Sequence, residues 1–283
     1  MDNLTNLSFM KSLCAKHGFV FEKKFGQNFI INPSVCPKIA EYAGVDENTC
    51  ALEIGIGVGV LTTELAKRAK KVVAVEIDDS LKPLVAETLA EFDNVKIVWD
   101  DVLNVDLAKL IREEFPGERV VVCANLPYYI TSPIITKLLS DNLPVENITV
   151  MVQKEAALRL CADEKSREIG AISMAVQYYS KPKICFNVSR CSFYPSPNVD
   201  SAVIRLDIRK DGKPTPKSEE KMFRLIRGAF GQRRKIFVNS VNATLGIPKR
   251  DIETALSQIG VDGRIRPEKL TLAQYAALSD ILM

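Results

Sequence analysis

The sequence has very little histidine, and its cysteines are not grouped, which excludes several kinds of site. One histidine, His17, occurs in 283 residues, so a metal site built on several histidines is excluded. A Ser-His-Asp triad would have to use that same residue. The seven cysteines are scattered and form no Cys-x-x-Cys pair. This pattern argues against disulfides and zinc, and it predicts reduced thiols, no bound metal and a cytoplasmic location.

Long apolar runs are also missing. The longest stretch without a charged residue, 120–136, contains Asn125 and two prolines, so no membrane span is expected. Asp2, Lys11 and Lys16 lie where a signal peptide needs an apolar core, so export is not expected. With 47% hydrophobic and 26% charged residues, the composition is that of a globular protein, which we expect to be a monomer.

Positive charge is concentrated in one segment. The formal net charge is only +3, but Arg205–Arg250 holds 13 Lys and Arg against 4 Asp and Glu. Such a segment on an otherwise slightly acidic chain predicts a face that binds a polyanion, although a solvated helical surface has the same composition. Within it, Arg233, Arg234 and Lys235 are the predicted contacts with that polyanion.

Apolar strands alternate with amphipathic helices between Cys50 and Ile208. Near-continuous apolar strands separated by helices predict an α/β fold with a doubly wound, mainly parallel sheet. The segment Lys210–Pro216 contains a glycine and two prolines among charges, which is typical of a linker. Only helical patterns follow it, one of them over Arg233–Leu245. We therefore predict a doubly wound domain with an N-terminal leader over 1–209 and a small all-helical domain over 210–283.

A glycine-rich turn leaves the first strand of the predicted sheet, at Gly55, Gly57 and Gly59. Glycine there lets the backbone approach a ligand closely. Glu76 ends the next strand, where a carboxylate can accept hydrogen bonds from ribose hydroxyls. Asp101 follows the third strand and can accept a hydrogen bond from an adenine amino group.

The spacing of these glycines separates two cofactors. A dinucleotide fold prefers Gly-x-Gly-x-x-Gly with a helix N-terminus aimed at a pyrophosphate, whereas this turn has Gly-x-Gly-x-Gly after Glu53. The carboxylate of Glu53 would oppose a pyrophosphate and suits a cation such as the sulfonium and amino groups of S-adenosylmethionine. A dehydrogenase that uses NAD is therefore disfavoured.

The segment Asn125-Leu126-Pro127-Tyr128 follows the fourth strand and indicates the reaction. An exocyclic adenine amine is a poor nucleophile because its lone pair is delocalised into the ring. The Asn125 side-chain oxygen and a backbone carbonyl beside Pro127 can each accept one of its hydrogens and direct the lone pair at a methyl donor. Tyr128 offers a ring on which an extruded base can stack, and Phe193 is predicted to close the pocket over that base.

With these motifs, the sequence resembles the small-subunit ribosomal RNA adenine dimethyltransferases (the KsgA type, or dimethyladenosine transferases) over about Lys24 to Leu282. The resemblance rests on six motifs in order: Gly26-Gln27-Asn28-Phe29, Glu53–Thr62, Asn125–Tyr128, Phe193–Ser201, Phe230–Lys235 and Arg266-Pro267-Glu268. It implies a Rossmann-like class I methyltransferase that dimethylates two adjacent adenines in the 3′-terminal hairpin loop of small-subunit RNA, within a pre-ribosomal 30S particle.

The same resemblance implies roles for individual residues. Asn28 and Ile30 would contact the donor from the N-terminal loop, and Gly55 would line its methionine end. Residues 1–209 would form the catalytic domain and 210–283 an RNA-binding domain, in which Arg233, Arg234 and Lys235 would contact the RNA. Two alternatives stay open. The macrolide-resistance methyltransferases of large-subunit RNA share the catalytic motifs, and a ribosome-assembly factor could keep this fold without turnover.

Overall fold

Helices and strands alternate along most of the chain in a computed structural model that describes residues 4–19, 27–232 and 234–283. The helices are α1 (Leu7–Lys16), α2 (Val35–Ala43), α3 (Val60–Ala66), α4 (Lys82–Thr88), α5 (Leu107–Glu114), α6 (Thr131–Ser140), α7 (Lys154–Leu160), α8 (Ala171–Tyr179), α9 (Glu219–Phe230), α10 (Phe237–Leu245), α11 (Lys249–Gln258) and α12 (Leu272–Leu282). The strands are β1 (Phe29–Ile30), β2 (Thr49–Ile54), β3 (Lys71–Glu76), β4 (Val95–Trp99), β5 (Arg119–Asn125), β6 (Asn147–Gln153), β7 (Ser180–Val188), β8 (Phe193–Tyr194) and β9 (Ser201–Ile208).

Seven strands within the described ranges form one sheet in the order β4-β3-β2-β5-β6-β9-β7. The first five strands of this order, β4-β3-β2-β5-β6, pair in parallel, and β9 pairs antiparallel with β6. This confirms the predicted α/β fold. The chain moves outward from β2 through β3 and β4, then returns to the other side of β2 at β5. Such a reversal opens a crevice beyond the carboxyl ends of the two central strands.

The first of two compact units contains this sheet and comprises the chain up to Leu158 together with Pro182–Ile208. Every residue of β2 is buried, because helices cover both faces of a parallel sheet. A second, two-stranded pairing joins β1 to β8 and places Ile30 opposite Phe193. No helix in the described parts of the chain is long and apolar enough to cross a membrane.

The second unit comprises Arg159–Lys181 and Arg209–Met283. It contains α8. The sequence pattern places α8 in the first domain, because the alternation of helix and strand continues through it. The physical reason is burial: Met174 and Tyr178 of α8 belong to one apolar cluster with Met222 and Leu225 of α9. The roles predicted for the two domains stay predictions.

Within the second unit, α9 and α10 pack closely at Gly228. A Cβ atom there would lie 2.8 Å from Cγ of Leu245, and the Gly228 carbonyl accepts hydrogen bonds from the Ser240 and Thr244 hydroxyls, both at 3.0 Å. The sequence pattern predicts a helix that starts near residue 233, but α10 begins only at Phe237. The reason is that the residue before Phe237 has an extended backbone.

Candidate active site

A cleft of about 1100 Å³, including its part open to solvent, lies at the carboxyl ends of the strands in the first unit. Most of the predicted site residues line it, namely Asn28, Ile30, Glu53, Gly55, Gly57, Glu76, Asp101, Asn125, Leu126, Pro127 and Tyr128. The structure therefore gathers residues from β1, β2, β3, β5 and the loops after them. This convergence follows from the topology, since the ends of neighbouring parallel strands meet at one edge.

The turn after β2 forms one wall of the cleft. Gly55 and Gly57 have φ values of 78° and 54°, a region that residues with a Cβ atom rarely adopt. A Cβ atom at Gly57 would also lie 3.3 Å from the ring of Phe29. Both positions therefore need glycine, for backbone conformation and, at Gly57, for space.

The Glu76 carboxylate holds this turn in place. Its Oε2 accepts hydrogen bonds from the backbone N–H groups of Ile56 (2.8 Å) and Gly57 (3.2 Å). Its Oε1 accepts from the N–H groups of Ile77 and Asp78, both at 2.9 Å. Burial raises the pKa of Glu76, and these backbone donors lower it. Since a carboxylate has about four acceptor sites, the protein itself uses all of them, so a ribose would have to share or replace these bonds.

Glu53 is the least satisfied polar group of the cleft. Its side chain is fully buried, and neither oxygen accepts a hydrogen bond of ordinary geometry from the described residues. Loss of hydration raises the pKa of Glu53 to about 8, although the Thr62 hydroxyl lowers it and the Glu76 charge raises it further. A buried carboxyl group without a partner is costly, and here it borders a cleft where a cationic ligand would compensate it.

Hydrogen bonds orient the segment that follows β5. The Asn125 amide nitrogen donates to the Asn28 carbonyl at 3.3 Å, which leaves the Asn125 side-chain oxygen as an acceptor. The Pro127 carbonyl accepts from Ile130 N (3.2 Å) and from the Thr131 hydroxyl (3.1 Å). The Leu126 carbonyl accepts no hydrogen bond from the described residues. Two acceptors just before the proline, one side-chain and one backbone, therefore accept no hydrogen bond from the described residues.

The aromatic residues occupy different positions. The Tyr128 hydroxyl shares a hydrogen bond of 2.6 Å with Ser201, which fixes the half-buried ring, and burial raises its pKa. Phe193 is buried in the apolar core of the first unit, 2% exposed, and is not among the described residues that line the cleft. Its β-sheet partner Ile30 does line the cleft. The predicted contact of Phe193 with a base stays a prediction.

Other residues of the cleft were not predicted. Tyr129 lines it with 62% of its surface exposed, and Gln27 and Asp100 line it as well. Tyr129 directly follows a predicted residue, and that adjacency was the available signal. Asp101 caps the turn after β4, since its Oδ1 accepts from Leu103 N at 2.9 Å.

The predicted RNA contacts lie in the second unit. Arg234 and Lys235 are exposed in the turn between α9 and α10, and Arg233 lies outside the described residues. No group of three or more His, Cys, Asp or Glu residues suited to a metal ion occurs in the described part of the chain.

Comparison with known proteins decides the family. The family model for ribosomal RNA adenine dimethylase matches residues 18–283. The chain belongs to the ribosomal RNA adenine dimethylase family. It is 47% identical to ribosomal RNA small subunit methyltransferase A of Geobacillus thermodenitrificans, over 96% of this chain and 94% of that protein.

Two solved structures of related enzymes resemble this dimethylase-family chain. A dimethyladenosine transferase from Plasmodium falciparum superposes with a TM-score of 0.70 at 24% identity, over 88% of this chain and 95% of that one, and shows the fold alone. The 23S rRNA methyltransferase ErmE superposes with a TM-score of 0.67 at 28% identity, over 90% of this chain and 99% of that one. The class I methyltransferase architecture predicted from the sequence is thereby confirmed.

Proposed function

We propose that this protein transfers methyl groups from S-adenosylmethionine to the exocyclic amines of two adjacent adenines in the 3′-terminal hairpin loop of small-subunit ribosomal RNA, within a pre-ribosomal 30S particle. The observation that carries the proposal is the pair of unused acceptors at Asn125 and Leu126. An N6 amine has two hydrogens, and these two oxygens accept one each.

The cleft fits S-adenosylmethionine. The unpaired, buried Glu53 carboxyl group matches a ligand with cationic amino and sulfonium groups. Gly55 and Gly57 leave room for its methionine end, Glu76 lies at the ribose position, and Asp101 retains a carboxylate oxygen for an adenine amine. Asn28 and Ile30 border the same space from β1.

When bound, S-adenosylmethionine supplies an electrophilic methyl group. The two acceptors hold the amine so that its lone pair points into the cleft, which favours a tetrahedral nitrogen. Tyr128, fixed by Ser201, offers its ring to the unstacked base. The N–C bond forms as the S–C bond breaks, and the methylated ammonium then loses its proton to water. No general base is required, which agrees with the scarcity of histidine.

Sequence identity supports the small-subunit substrate over the alternatives. Identity is 47% with the small-subunit methyltransferase and 28% with the large-subunit enzyme. The intact acceptor pair also supports turnover over a purely structural role in ribosome assembly. The monomeric state and cytoplasmic location stay predictions.

Mass spectrometry of the RNA product tests the proposal. Purified protein, S-adenosylmethionine and undermethylated small subunits should give dimethyladenosine at two neighbouring positions. Asn125→Ala should bind the donor nearly as well as wild type but transfer methyl groups about 10²-fold or more slowly, since one positioned acceptor is lost. Asn48→Ala, an exposed asparagine before β2, is the matched control. Full turnover by Asn125→Ala, or methylation of large-subunit RNA alone, contradicts the proposal.

A further inference from the structure

The second unit contains a cavity of its own, of about 780 Å³ including its part open to solvent. Two motifs singled out in the sequence meet there. Phe230 begins the motif that ends with Arg234 and Lys235, while Pro267 and Glu268 belong to Arg266-Pro267-Glu268. The third wall is the loop 164–169. Phe230 and Pro267, which are 37 residues apart in the chain, thus border one cavity. The mechanism proposed above uses none of its walls.

The walls are held rigidly. The Pro267 carbonyl accepts a hydrogen bond of 3.0 Å from the buried Tyr275 hydroxyl. Asp163 Oδ1 accepts from the backbone N–H groups of Lys165 (3.0 Å) and Ser166 (3.1 Å), which fixes the loop. Lys269 Nζ donates to the Glu164 carbonyl at 3.4 Å and joins two walls. A cavity built in this way loses little entropy when a ligand enters.

The chemistry of the lining is mixed. Ile169 and Pro267 are buried and apolar, and Phe230 presents a half-buried ring. At the rim, Lys165 and Lys269 are exposed and form no ion pair with a carboxylate of the described residues. An aromatic face beside cations that are not held in ion pairs is the combination that proteins use for single-stranded nucleic acid.

We propose that this cavity binds one unstacked nucleotide of the RNA substrate, its base against Phe230 and its phosphate against Lys165 and Lys269. Glu268 offers a carboxylate, 3.9 Å from Arg266, to the amino edge of the base. The inference rests on the proposed function only in naming RNA as the source, since a free nucleoside monophosphate has the same chemistry.

Binding of undermethylated small-subunit RNA to the full-length chain tests the inference. Phe230→Leu keeps apolar bulk and should raise the dissociation constant about fivefold or more, since stacking on one base contributes ~1–3 kcal/mol. Lys165→Ala/Lys269→Ala should make the dependence of log K on log salt shallower by about 1. Lys67→Ala/Lys109→Ala, two exposed lysines of the first unit, is the control pair.

Two further measurements identify the occupant. RNA substituted with 4-thiouridine should crosslink to peptides of this cavity in wild type and less in Phe230→Leu. Adenosine and uridine monophosphate should bind only weakly. Unchanged affinity, salt slope and crosslinks in both variants would overturn the inference, as would tight binding of a free nucleotide with RNA affinity unaffected. If Phe230→Leu fails to fold, the exposed lysine pair still decides.

The outcomes separate this inference from the proposed function. Wild-type protein that binds RNA through this cavity but transfers no methyl group would refute the proposed function and leave the cavity assigned. Normal methylation by wild type, with RNA binding unaffected in both variants, would support the proposed function and refute the assignment of this cavity.

Discussion

Glu53 allows a prediction in which stability, pH and cofactor binding are linked. The folded chain keeps this carboxyl group protonated up to a pKa of about 8, whereas an unfolded chain ionises it near 4.3. Because the folded state then binds more protons, its free energy of unfolding falls as pH rises between these two values. At about 1.36 kcal/mol per pH unit, the loss amounts to roughly 3 kcal/mol between pH 4.5 and pH 7.

Denaturant unfolding of Glu53→Gln and wild type at pH 5, 6, 7 and 8 measures this loss. The amide cannot ionise, so the unfolding free energy of Glu53→Gln should not show this loss. Relative to wild type, the variant should therefore gain about 3 kcal/mol between pH 5 and pH 8. Any cost of the amide that does not depend on pH cancels in this comparison. Glu91→Gln, at an exposed position, should show no such shift. Parallel pH profiles for Glu53→Gln and wild type would refute the reasoning.

The same proton should appear in cofactor binding. A cationic donor beside Glu53 favours the ionised carboxylate, so wild type should release close to one proton on binding S-adenosylmethionine at pH 7. Calorimetry in buffers of different ionisation enthalpy detects it. Donor affinity should rise with pH up to about 8, and Glu53→Gln should lose both effects. Binding without proton release in wild type would show that the donor does not place its positive charge near this residue.

Three further predictions follow from the structure. Gly57→Ala should weaken binding of S-adenosylmethionine about tenfold or more, measured by calorimetry, because the residue has positive φ and a crowded Cβ position. Gly228→Ala should lower the free energy of unfolding by about 1–3 kcal/mol in denaturant titrations, because its Cβ would overlap Leu245; an unchanged midpoint would contradict this packing. Arg234→Ala/Lys235→Ala should reduce the salt slope of RNA binding by about 1, and an unaltered slope would exclude these residues as phosphate contacts.

The sequence was informative where local pattern and topology agree. Apolar runs separated by helices predicted the sheet, and residues at the carboxyl ends of parallel strands, such as Glu76 and Asn125, had to meet at one edge. The glycine spacing after β2 predicted a turn that the positive φ values of Gly55 and Gly57 now explain. These inferences needed only the order of elements along the chain.

The features that the sequence did not predict depend on contacts between distant segments of the chain, which hydrophobic periodicity does not encode. The burial of Phe193 is one example, since it follows from pairing with Ile30, far away along the chain; its predicted contact with a base stays a prediction. Helix α8 follows a βα pattern but packs its apolar face on α9. Arg234 and Lys235 continue a helical pattern but occupy a turn, because α10 starts later, at Phe237.

Glu76 shows the same limit at the level of single hydrogen bonds. Its position at the end of β3 predicted a ribose ligand, and the structure gives its carboxylate four backbone donors from two different turns. A residue type and its place in a strand indicate which groups face a cleft. Whether those groups are already occupied depends on loop conformation, here on the glycine turn that Glu76 itself stabilises. Glu53, one strand away, has no such donors among the described residues, so of the two carboxyl groups it is the one whose energy a cationic ligand can change most.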